Sequence, residues 1–253
     1  MIKYIFYLLV CVSSTLHAQN SEDLFQEANS LYKAGSYKEA IKRYEDIVAT
    51  GSVSSELFYN LGNCYYKLNS VAPSIYNYEK ALKLDPLNED AKNNLIFAKR
   101  LALDRIEELP KSVFQKFNDR FLTIFTYNGW AIFSIVFSFI TAILFLVYYF
   151  SKSPLKKRFF FTTSLISLIL LLLSIIISFQ QYNSSLKTVE AIVFAEEVSV
   201  KNEPTKRADE AFVLHEGTKV FVLDKVDNWN KIRLIDGKIG WLYTNEIQLL
   251  NDF

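Results

Sequence analysis

Two long uncharged runs limit what this chain can fold into more than any other feature. Residues 127–150 and 159–179 contain no charged side chain, and each run is long enough to cross a hydrocarbon core of about 30 Å as a helix. A core helix of this length in a water-soluble protein nearly always carries a polar face, which neither run has. We therefore predict transmembrane helices at 127–150 and 159–179, with one buried helical hairpin as the alternative.

The segment between the two runs, residues 151–158, is basic. It carries four cations, at Lys152, Lys156, Lys157 and Arg158. Because short loops rich in Lys and Arg stay in the cytoplasm, the loop is predicted to be cytoplasmic and both flanking regions extracytoplasmic. Cations near the outer end of the first run weaken this asymmetry, namely Lys111, Lys116 and Arg120.

The N-terminus supplies an independent signal for the same topology. Lys3 is followed by an apolar stretch, Tyr4–Val12, and then by small and polar residues up to Ala18. This order predicts a secretory signal peptide, residues 1–18, that is cleaved after Ala18. A lipoprotein processed at Cys11 is disfavoured because Val10 before it is too bulky. Cleaved or retained, the leader places residue 20 onward outside the cytoplasm.

Residues 21–108 repeat themselves with a period of 34. A shift by that amount superimposes Tyr32 on Tyr66, Ile41 on Ile75 and Tyr44 on Tyr78. Each period has two amphipathic helices, and Glu89 starts a third unit that we interpret as a capping helix. The pattern resembles the tetratricopeptide repeat. The residues that carry the resemblance are Ala28, Gly35, Tyr37, Ala40 and Tyr44, followed by Leu61, Gly62, Tyr65, Tyr78, Ala81 and Pro86.

The resemblance implies a concave groove lined by the first helix of each pair. Asn side chains there suit a peptide backbone, since each offers a donor and an acceptor, and Tyr adds rigid apolar area. Phe25, Asp90 and Asn94 stand where relatives that clamp a C-terminal carboxylate have cations, so peptide binding without carboxylate capture is expected. Groove surface of no special role is the alternative. The predicted groove residues are Phe25, Asn29, Tyr32, Tyr59, Asn60, Asn63 and Tyr66.

The junction at residues 109–126 combines a Phe stripe with charged residues. Phe114, Phe117, Phe121 and Phe125 recur at spacings of three and four. A basic amphipathic helix ahead of a membrane span predicts a helix lying in the membrane interface. A stripe packed on the repeat domain is the alternative.

The C-terminal part, residues 188–250, changes from helical to strand signals. Strand signals rich in Val, Ile and Phe cover Val189–Phe194, Glu197–Lys201, Lys219–Leu223, Lys231–Ile235 and Lys238–Leu242. Asp236-Gly237 is a strong hairpin turn, and Glu216-Gly217 and Asp227-Asn228 also have the composition of turns. The segments 214–220, 229–234 and 236–241 resemble the bacterial SH3-like (SH3b) domain. The resemblance implies a small all-β barrel whose Trp229, Trp241 and Tyr243 could bind a peptide or a cell-wall ligand. Packing of these aromatic residues in the core or at the barrel edge is the alternative.

Several functions are disfavoured by composition. The net charge of +1 offers no basic field for nucleic acid. After removal of the leader only Cys64 and His215 remain, in different domains, so neither a nucleophile–base pair nor a His/Cys metal site is expected. Cys64 itself is expected to be an inert buried thiol. No enzymatic activity, cofactor or metal is predicted.

The chain is therefore predicted to be a multidomain membrane protein: an all-α repeat domain, a transmembrane α-hairpin and an SH3-like barrel. The order of these parts resembles the BatE-type proteins of the Bacteroides aerotolerance operon. The resemblance implies a scaffold in the bacterial inner membrane, with both folded domains periplasmic. Its partners would include von Willebrand-type membrane proteins, and its role would lie in aerotolerance or envelope stress. A peptidoglycan-binding accessory of a cell-wall enzyme and a cryptic enzyme are the alternatives.

Overall fold

The chain forms two compact units in the computed structural model. One unit comprises residues 1–109 and 189–253, and the other comprises residues 110–188. The structure describes residues 21–107, 109, 110, 112, 113, 116, 122 and 124–250, with the side chains of Leu186 and Lys187 left out. The predicted leader and most of the predicted interfacial helix lie outside the described residues.

Five helices form residues 21–99, the described N-terminal part of the first unit. Helix α1 covers residues 21–33, and it is followed by α2 (Tyr37–Ala49), α3 (Ser55–Lys67), α4 (Val71–Leu84) and α5 (Glu89–Lys99). Gly35 ends the first helix with a φ of +79°, a conformation that glycine adopts without strain.

The N-cap residues of the helices recur with the same period of 34 residues as the sequence. Ser54 accepts a hydrogen bond from Leu57 N, and Asn88, 34 residues later, accepts one from Ala91 N. Ser and Asn are favoured at this position because the side-chain oxygen satisfies a backbone N–H that the helix leaves unpaired.

Small residues allow the two helices of each pair to approach closely. Ala28 is fully buried, and its equivalent Gly62 lies against the ring of Tyr78, where an added Cβ would come within 2.7 Å of the ring. Tyr44 and Tyr78 are completely buried in their repeats. The predicted pattern of small residues at the helix crossings is thereby confirmed.

The third unit is shorter than the sequence pattern suggested. Helix α5 ends at Lys99, and residues 102–107 have no regular secondary structure. The buried side of α5 carries Ala91, Leu95 and Ala98. Its other side is not polar throughout, because Ile96 and Phe97 are 52% and 49% exposed.

The C-terminal part of the first unit is one antiparallel sheet with the order β3-β2-β6-β5-β4-β1-β7. A one-turn 3-10 helix, Thr244–Glu246, precedes the last strand. The strands are β1 (Val189–Val193), β2 (Glu197–Lys201), β3 (Glu210–His215), β4 (Lys219–Val226), β5 (Trp229–Arg233), β6 (Ile239–Tyr243) and β7 (Ile247–Leu249). The predicted all-β domain is confirmed, and we refer to it as the β domain.

Strand boundaries follow the turns. Gly217, Asp227 and Gly237 all have positive φ, as expected from the turn residues Glu216-Gly217, Asp227-Asn228 and Asp236-Gly237. Strand β5 begins at Trp229, two residues before the predicted run at Lys231. Strands β3 and β7 were not predicted, because their side chains do not alternate clearly between apolar and polar.

The β domain packs directly on the repeat helices. Ile192 and Leu250 are completely buried in a cluster with residues of α4 and α5. The helical members of this cluster are Ala72, Ile75, Tyr78, Leu95 and Ala98. The repeats and the β domain, predicted from the sequence as separate modules, therefore share an apolar cluster in addition to the one that each has of its own.

The second unit contains two long apolar helices, α6 (Tyr127–Phe150) and α7 (Pro154–Lys187). Their most apolar windows have mean hydropathies of 2.5 and 2.6, and only 11% and 17% of those windows are buried inside the protein. Both helices are long and apolar enough to span a membrane. Their outward-facing apolar side chains argue against the alternative of a buried hairpin, since water would be in contact with that surface.

Polar side chains join the two helices on their inner side. Ser134 and Ser174 share a hydrogen bond of 2.8 Å, and Thr141 and Ser167 share another of 2.8 Å. Small hydroxyl residues at such contacts are typical of membrane helix pairs. Helix α7 starts at Pro154, inside the segment predicted as loop, because Pro fits the first turn of a helix.

Candidate protein-interaction surfaces

The groove side of the repeats carries a hydrogen-bond ladder that recurs every 34 residues. Asn29 Oδ1 accepts from Tyr44 Oη at 2.6 Å and from Asn60 Nδ2 at 3.2 Å. One period later, Asn63 Oδ1 accepts from Tyr78 Oη at 2.7 Å and from Asn94 Nδ2 at 2.8 Å. Each rung ties the two helices of one repeat to the first helix of the next.

Aromatic rings repeat beside the ladder with the same period. The rings of Phe25 and Tyr44 lie 5.8 Å apart, and those of Tyr59 and Tyr78 lie 6.2 Å apart. Burial raises the pKa of Tyr44 and of Tyr78. Both hydroxyls therefore stay protonated at neutral pH and act as donors to the Asn oxygens.

All seven predicted groove residues lie on α1 and α3 and are half-buried. Each therefore keeps part of its surface open to solvent. The ladder nevertheless uses the amide oxygens of Asn29 and Asn63 within the protein. Their binding to a partner stays a prediction, and it would have to involve the remaining amide atoms.

Asn94 belongs to the groove, although the sequence analysis considered it only as a replacement for a cation. It lies on α5 and bonds both Asn63 and, at 3.4 Å, Tyr59 Oη. Shifting Asn60 by one period lands on Asn94, so the sequence did contain a signal for this role. The groove thus extends over three helices, α1, α3 and α5.

Cys64 lies beneath the groove and is fully buried with a free thiol. Burial in an apolar environment raises its pKa to about 12. The thiol is therefore protonated at neutral pH, and a protonated thiol is a poor nucleophile.

A chain of charged side chains crosses the interface between the repeats and the β domain. Glu79 on α4 bonds Lys99 Nζ at 2.8 Å and Lys219 Nζ of β4 at 2.9 Å. Lys219 also bonds Glu190 of β1 at 2.8 Å, and Glu190 lies 3.3 Å from Lys83 Nζ. The interface is therefore matched in charge as well as in apolar shape.

Burial and charge act in opposite directions on this cluster. Burial alone would raise the pKa of Glu79, but Lys219 and Lys99 outweigh it, so that the pKa lies below its usual value. Burial alone would lower the pKa of Lys219, but Glu79 and Glu190 outweigh it and raise the pKa. Both partners are charged at neutral pH, which satisfies the requirement that a buried charge be paired.

The segment after α5 runs along the β domain, and we call residues 102–107 the strap. Asp104 of the strap accepts hydrogen bonds from His215 N at 2.7 Å and Thr218 Oγ1 at 2.6 Å, and its Oδ1 lies 2.8 Å from His215 Nδ1. Burial would raise the pKa of Asp104, but the bonds from Thr218 and His215 lower it. Ile106 adds an apolar contact to the core of the β domain.

The three aromatic residues predicted as a ligand face do lie on one face of the sheet. Trp229 pairs with Tyr243 and Lys231 with Trp241 in the register of β5 and β6. Trp229 is only 8% exposed, and its ring stacks on Tyr243 with a centroid distance of 4.0 Å. Packing thus accounts for Trp229, while Trp241 and Tyr243 are partly exposed.

The geometry of α3 and α4 agrees with a match to a known family. The family model described as "Tetratricopeptide repeat" matches residues 55–88. The chain contains a tetratricopeptide repeat. The matched segment begins with the first residue of α3 and includes the whole of α4. Repeats of this type mediate protein–protein interactions.

Two curated proteins resemble part of this chain. The chain is 29% identical over 90 residues to sperm-associated antigen 1 of Mus musculus, and 30% identical over 94 residues to sperm-associated antigen 1 of Rattus norvegicus. Each match covers 36% of this chain and 10% of the relative. The chain thus spans about a tenth of the length of these relatives.

Sequence reasoning missed the residues that join the two domains. Tyr76 donates to Leu249 O at 3.2 Å, and its ring lies 5.5 Å from that of Phe194. Glu79 and Lys219 are 140 residues apart in the chain. No periodicity or motif connects such positions, so only the three-dimensional structure reveals them.

Proposed function

We propose that the protein is a non-catalytic scaffold of the bacterial inner membrane whose repeat groove holds a segment of a partner protein. The observation that carries this proposal is the ladder that joins Asn side chains on α1, α3 and α5 to Tyr hydroxyls on α2 and α4. It orders polar groups along a half-buried aromatic surface without a charged residue at its centre. Such a surface suits an uncharged stretch of peptide backbone.

The ladder indicates which amide atoms remain for a partner. Asn29 and Asn63 accept through Oδ1, and among the described residues no acceptor lies within hydrogen-bond distance of their Nδ2 atoms. Asn60 and Asn94 donate through Nδ2, which leaves their Oδ1 atoms as acceptors. Alternating donors and acceptors match the C=O and N–H groups of an extended peptide.

Two independent features support the membrane topology that we propose. The basic segment 151–158 favours a cytoplasmic turn. The shared core of Ile192 and Leu250 with α4 and α5 supports the placement of both domains on one side of the membrane, as two spans require. We therefore propose that the repeats and the β domain are both periplasmic. Alkaline phosphatase fused after residue 253 should be active, and an inactive fusion together with an active cytoplasmic reporter would refute this topology.

The groove can be tested by site-specific photo-crosslinking in native membranes. A benzophenone amino acid at Tyr66, on the groove, is expected to crosslink to a partner protein. The matched control is the same amino acid at Glu39, an exposed position on α2, which should give no such product. Equal crosslinking from both positions, or from Glu39 alone, would show that the groove is not the contact.

The resemblance to BatE-type proteins suggests the identity of the partners. We propose that they include von Willebrand-type membrane proteins encoded beside this chain, and that the assembly contributes to aerotolerance. A deletion strain should survive exposure to air less well than the parent. Restoration by the wild-type chain but not by a Tyr66→Ala, Asn60→Ala variant would connect that phenotype to the groove.

A second candidate function is supported by the β domain. The strand β1 pairs with both β4 and the last strand, and β4, β5 and β6 follow one another in the sheet. This connectivity supports the proposed SH3-like barrel, and Trp241 and Tyr243 are partly exposed on one face. Such a face could bind peptidoglycan. Retention of the full-length protein on purified cell wall, lost in Trp241→Ala but not in Tyr66→Ala, would favour this function over the groove.

A further inference from the structure

A pocket of about 460 Å³ lies where α4 meets the β domain, away from the groove. Its size falls within the range of about 300–1,000 Å³ that is typical of small-ligand sites. Four strands, helix α4 and the 3-10 helix contribute to it. Its apolar walls are Tyr76, Val189, Val222, Ile247 and Leu249.

The wall contributed by the repeats is held firmly. Tyr76 donates its hydroxyl hydrogen to Leu249 O at 3.2 Å, and its ring packs edge-on against Phe194. Lys80 Nζ lies 4.9 Å from the centre of the same ring. A pocket with such a wall exists before any ligand binds, which reduces the entropy lost on binding.

Two polar groups face each other at the pocket. Lys225 and Asn230 are direct cross-strand partners in β4 and β5, so their side chains lie next to each other on the same face of the sheet. Asn230 is only 3% exposed, and it donates through Nδ2 to Thr244 Oγ1 at 3.1 Å. Within the described part of the chain, no donor reaches Asn230 Oδ1, and no carboxylate pairs with Lys225.

The chemistry of a matching ligand follows from these groups. An anion complements the exposed Lys225, an N–H donor complements the buried Asn230 Oδ1, and an apolar group of moderate size complements the walls. The last residue of a peptide combines all three, because its carboxylate and amide N–H flank one side chain. A phosphate group alone would leave the amide oxygen unpaired and the apolar walls in contact with water.

We propose that this pocket binds the C-terminal residue of a peptide or protein, with an apolar side chain against Val222 and Leu249, the carboxylate on Lys225 and the amide N–H on Asn230. The site goes beyond the groove proposal and does not depend on it. Since Tyr76 belongs to the repeats and the other residues to the β domain, the site exists only while the two domains are packed together.

Direct binding to the full-length protein in detergent tests the proposal. The probe is a fluorescein-labelled peptide ending in Ser-Ala-Leu with a free carboxylate, and the control probe is the same peptide with a C-terminal amide. Fluorescence anisotropy should show saturable binding of the acid and binding of the amide that is weaker by about tenfold or more, since a hydrogen bond to a charged group is lost. Equal affinities, or no saturation by the acid at about 1 mM, would overturn the proposal.

Variants locate the binding to the pocket. Lys225→Gln should weaken binding of the acid by about tenfold, and Lys225→Arg should restore most of it, because Arg keeps the charge. Lys231→Gln, on the same sheet but outside the pocket, is the matched control and should bind like the wild type. Asn60→Ala, in the groove, should also leave the affinity unchanged. An unchanged affinity in Lys225→Gln, or an equal loss in Lys231→Gln, would overturn the assignment.

Discussion

Glu79 Oε2 of α4 lies 2.9 Å from Lys219 Nζ of β4, and this ion pair joins the second repeat to the β domain. The Glu79 side chain is only 9% exposed. A buried ion pair stabilises the folded protein little more than an apolar pair of the same shape, but removal of one partner leaves the other as an unpaired buried charge, which is destabilising. The pair therefore determines how the two domains dock rather than how strongly each one folds.

Removal of the Glu79 charge should weaken the packing of the β domain on the repeats. We expect Glu79→Gln to lower the free energy of unfolding by about 3 kcal/mol, because Lys219 loses one of its two carboxylates inside the interface. Urea titration followed by near-UV circular dichroism measures this change. The control is Glu27→Gln, which removes an ion pair with Arg43 between side chains that are 47% and 40% exposed and should cost less than about 1 kcal/mol. Similar losses in the two variants would contradict the role of the interface.

Protonation of Asp104 at acid pH should weaken the contact between the strap and the β domain and so lower the stability of the fold. The bonds from Thr218 and His215 lower the pKa of Asp104 in the folded protein. The stabilisation that Asp104 provides is therefore fully present above its pKa in the unfolded chain, about 3.9, and is lost as the pH falls through its lower pKa in the folded protein. We expect the unfolding midpoint to fall steeply below about pH 4 in the wild type and less steeply in Asp104→Asn. Thermal unfolding at a series of pH values tests this, and the control is Asp23→Asn, at an exposed position on α1. Parallel profiles for Asp104→Asn and wild type would argue against it.

The ladder hydroxyls should contribute to stability. Tyr78→Phe keeps the ring but removes the hydrogen bond to Asn63, and we expect a loss of about 1–2 kcal/mol because Asn63 stays half-buried. Tyr65→Phe is the matched control, since its hydroxyl bonds Glu45 at an exposed site. Combining Tyr78→Phe with Asn63→Ala should cost less than the sum of the two changes, by about 0.5 kcal/mol or more. Strict additivity would indicate that the rung is not a coupled unit.

The close approach of Gly217 to α4 can be measured against a matched glycine. Gly217 and Gly51 have φ of +85° and +80°, so alanine strains the backbone equally at both. An added Cβ at Gly217 would come within 2.8 Å of Ile75 and 3.0 Å of Val71, whereas nothing lies within 4 Å at Gly51. Gly217→Ala should therefore destabilise the protein by about 1–3 kcal/mol more than Gly51→Ala. Chemical denaturation of both variants gives this difference, and equal losses would rule out tight packing at this point.

The Cys64 thiol should be unreactive in the folded protein. Its pKa of about 12 and its complete burial leave almost no accessible thiolate at pH 8. In a Cys11→Ser background, labelling by Ellman's reagent should be slow in buffer and rapid in urea. Rapid labelling of the native protein would show instead that the helices around Cys64 open easily.

Much of the architecture could be predicted because it depends on local spacing. The period of 34, the small residues at Ala28 and Gly62 and the turn at Asp236-Gly237 each leave a mark within a short stretch of sequence. The uncharged runs predicted two membrane-length helices for the same reason. Such features reflect helix and strand periodicities, which the identities of neighbouring residues determine.

The contacts between domains could not be predicted, because they join segments that are far apart in the sequence. The docking of the β domain on α4 and α5 unites Ile192 and Leu250 with Ile75, and the strap places Asp104 beside His215. These residues have no sequence pattern in common, because packing across an interface depends on surface shape and not on spacing along the chain. The sequence by itself thus determined the repeat, the hairpin and the sheet, whereas the tertiary structure decided that repeat and sheet form one body with a pocket between them.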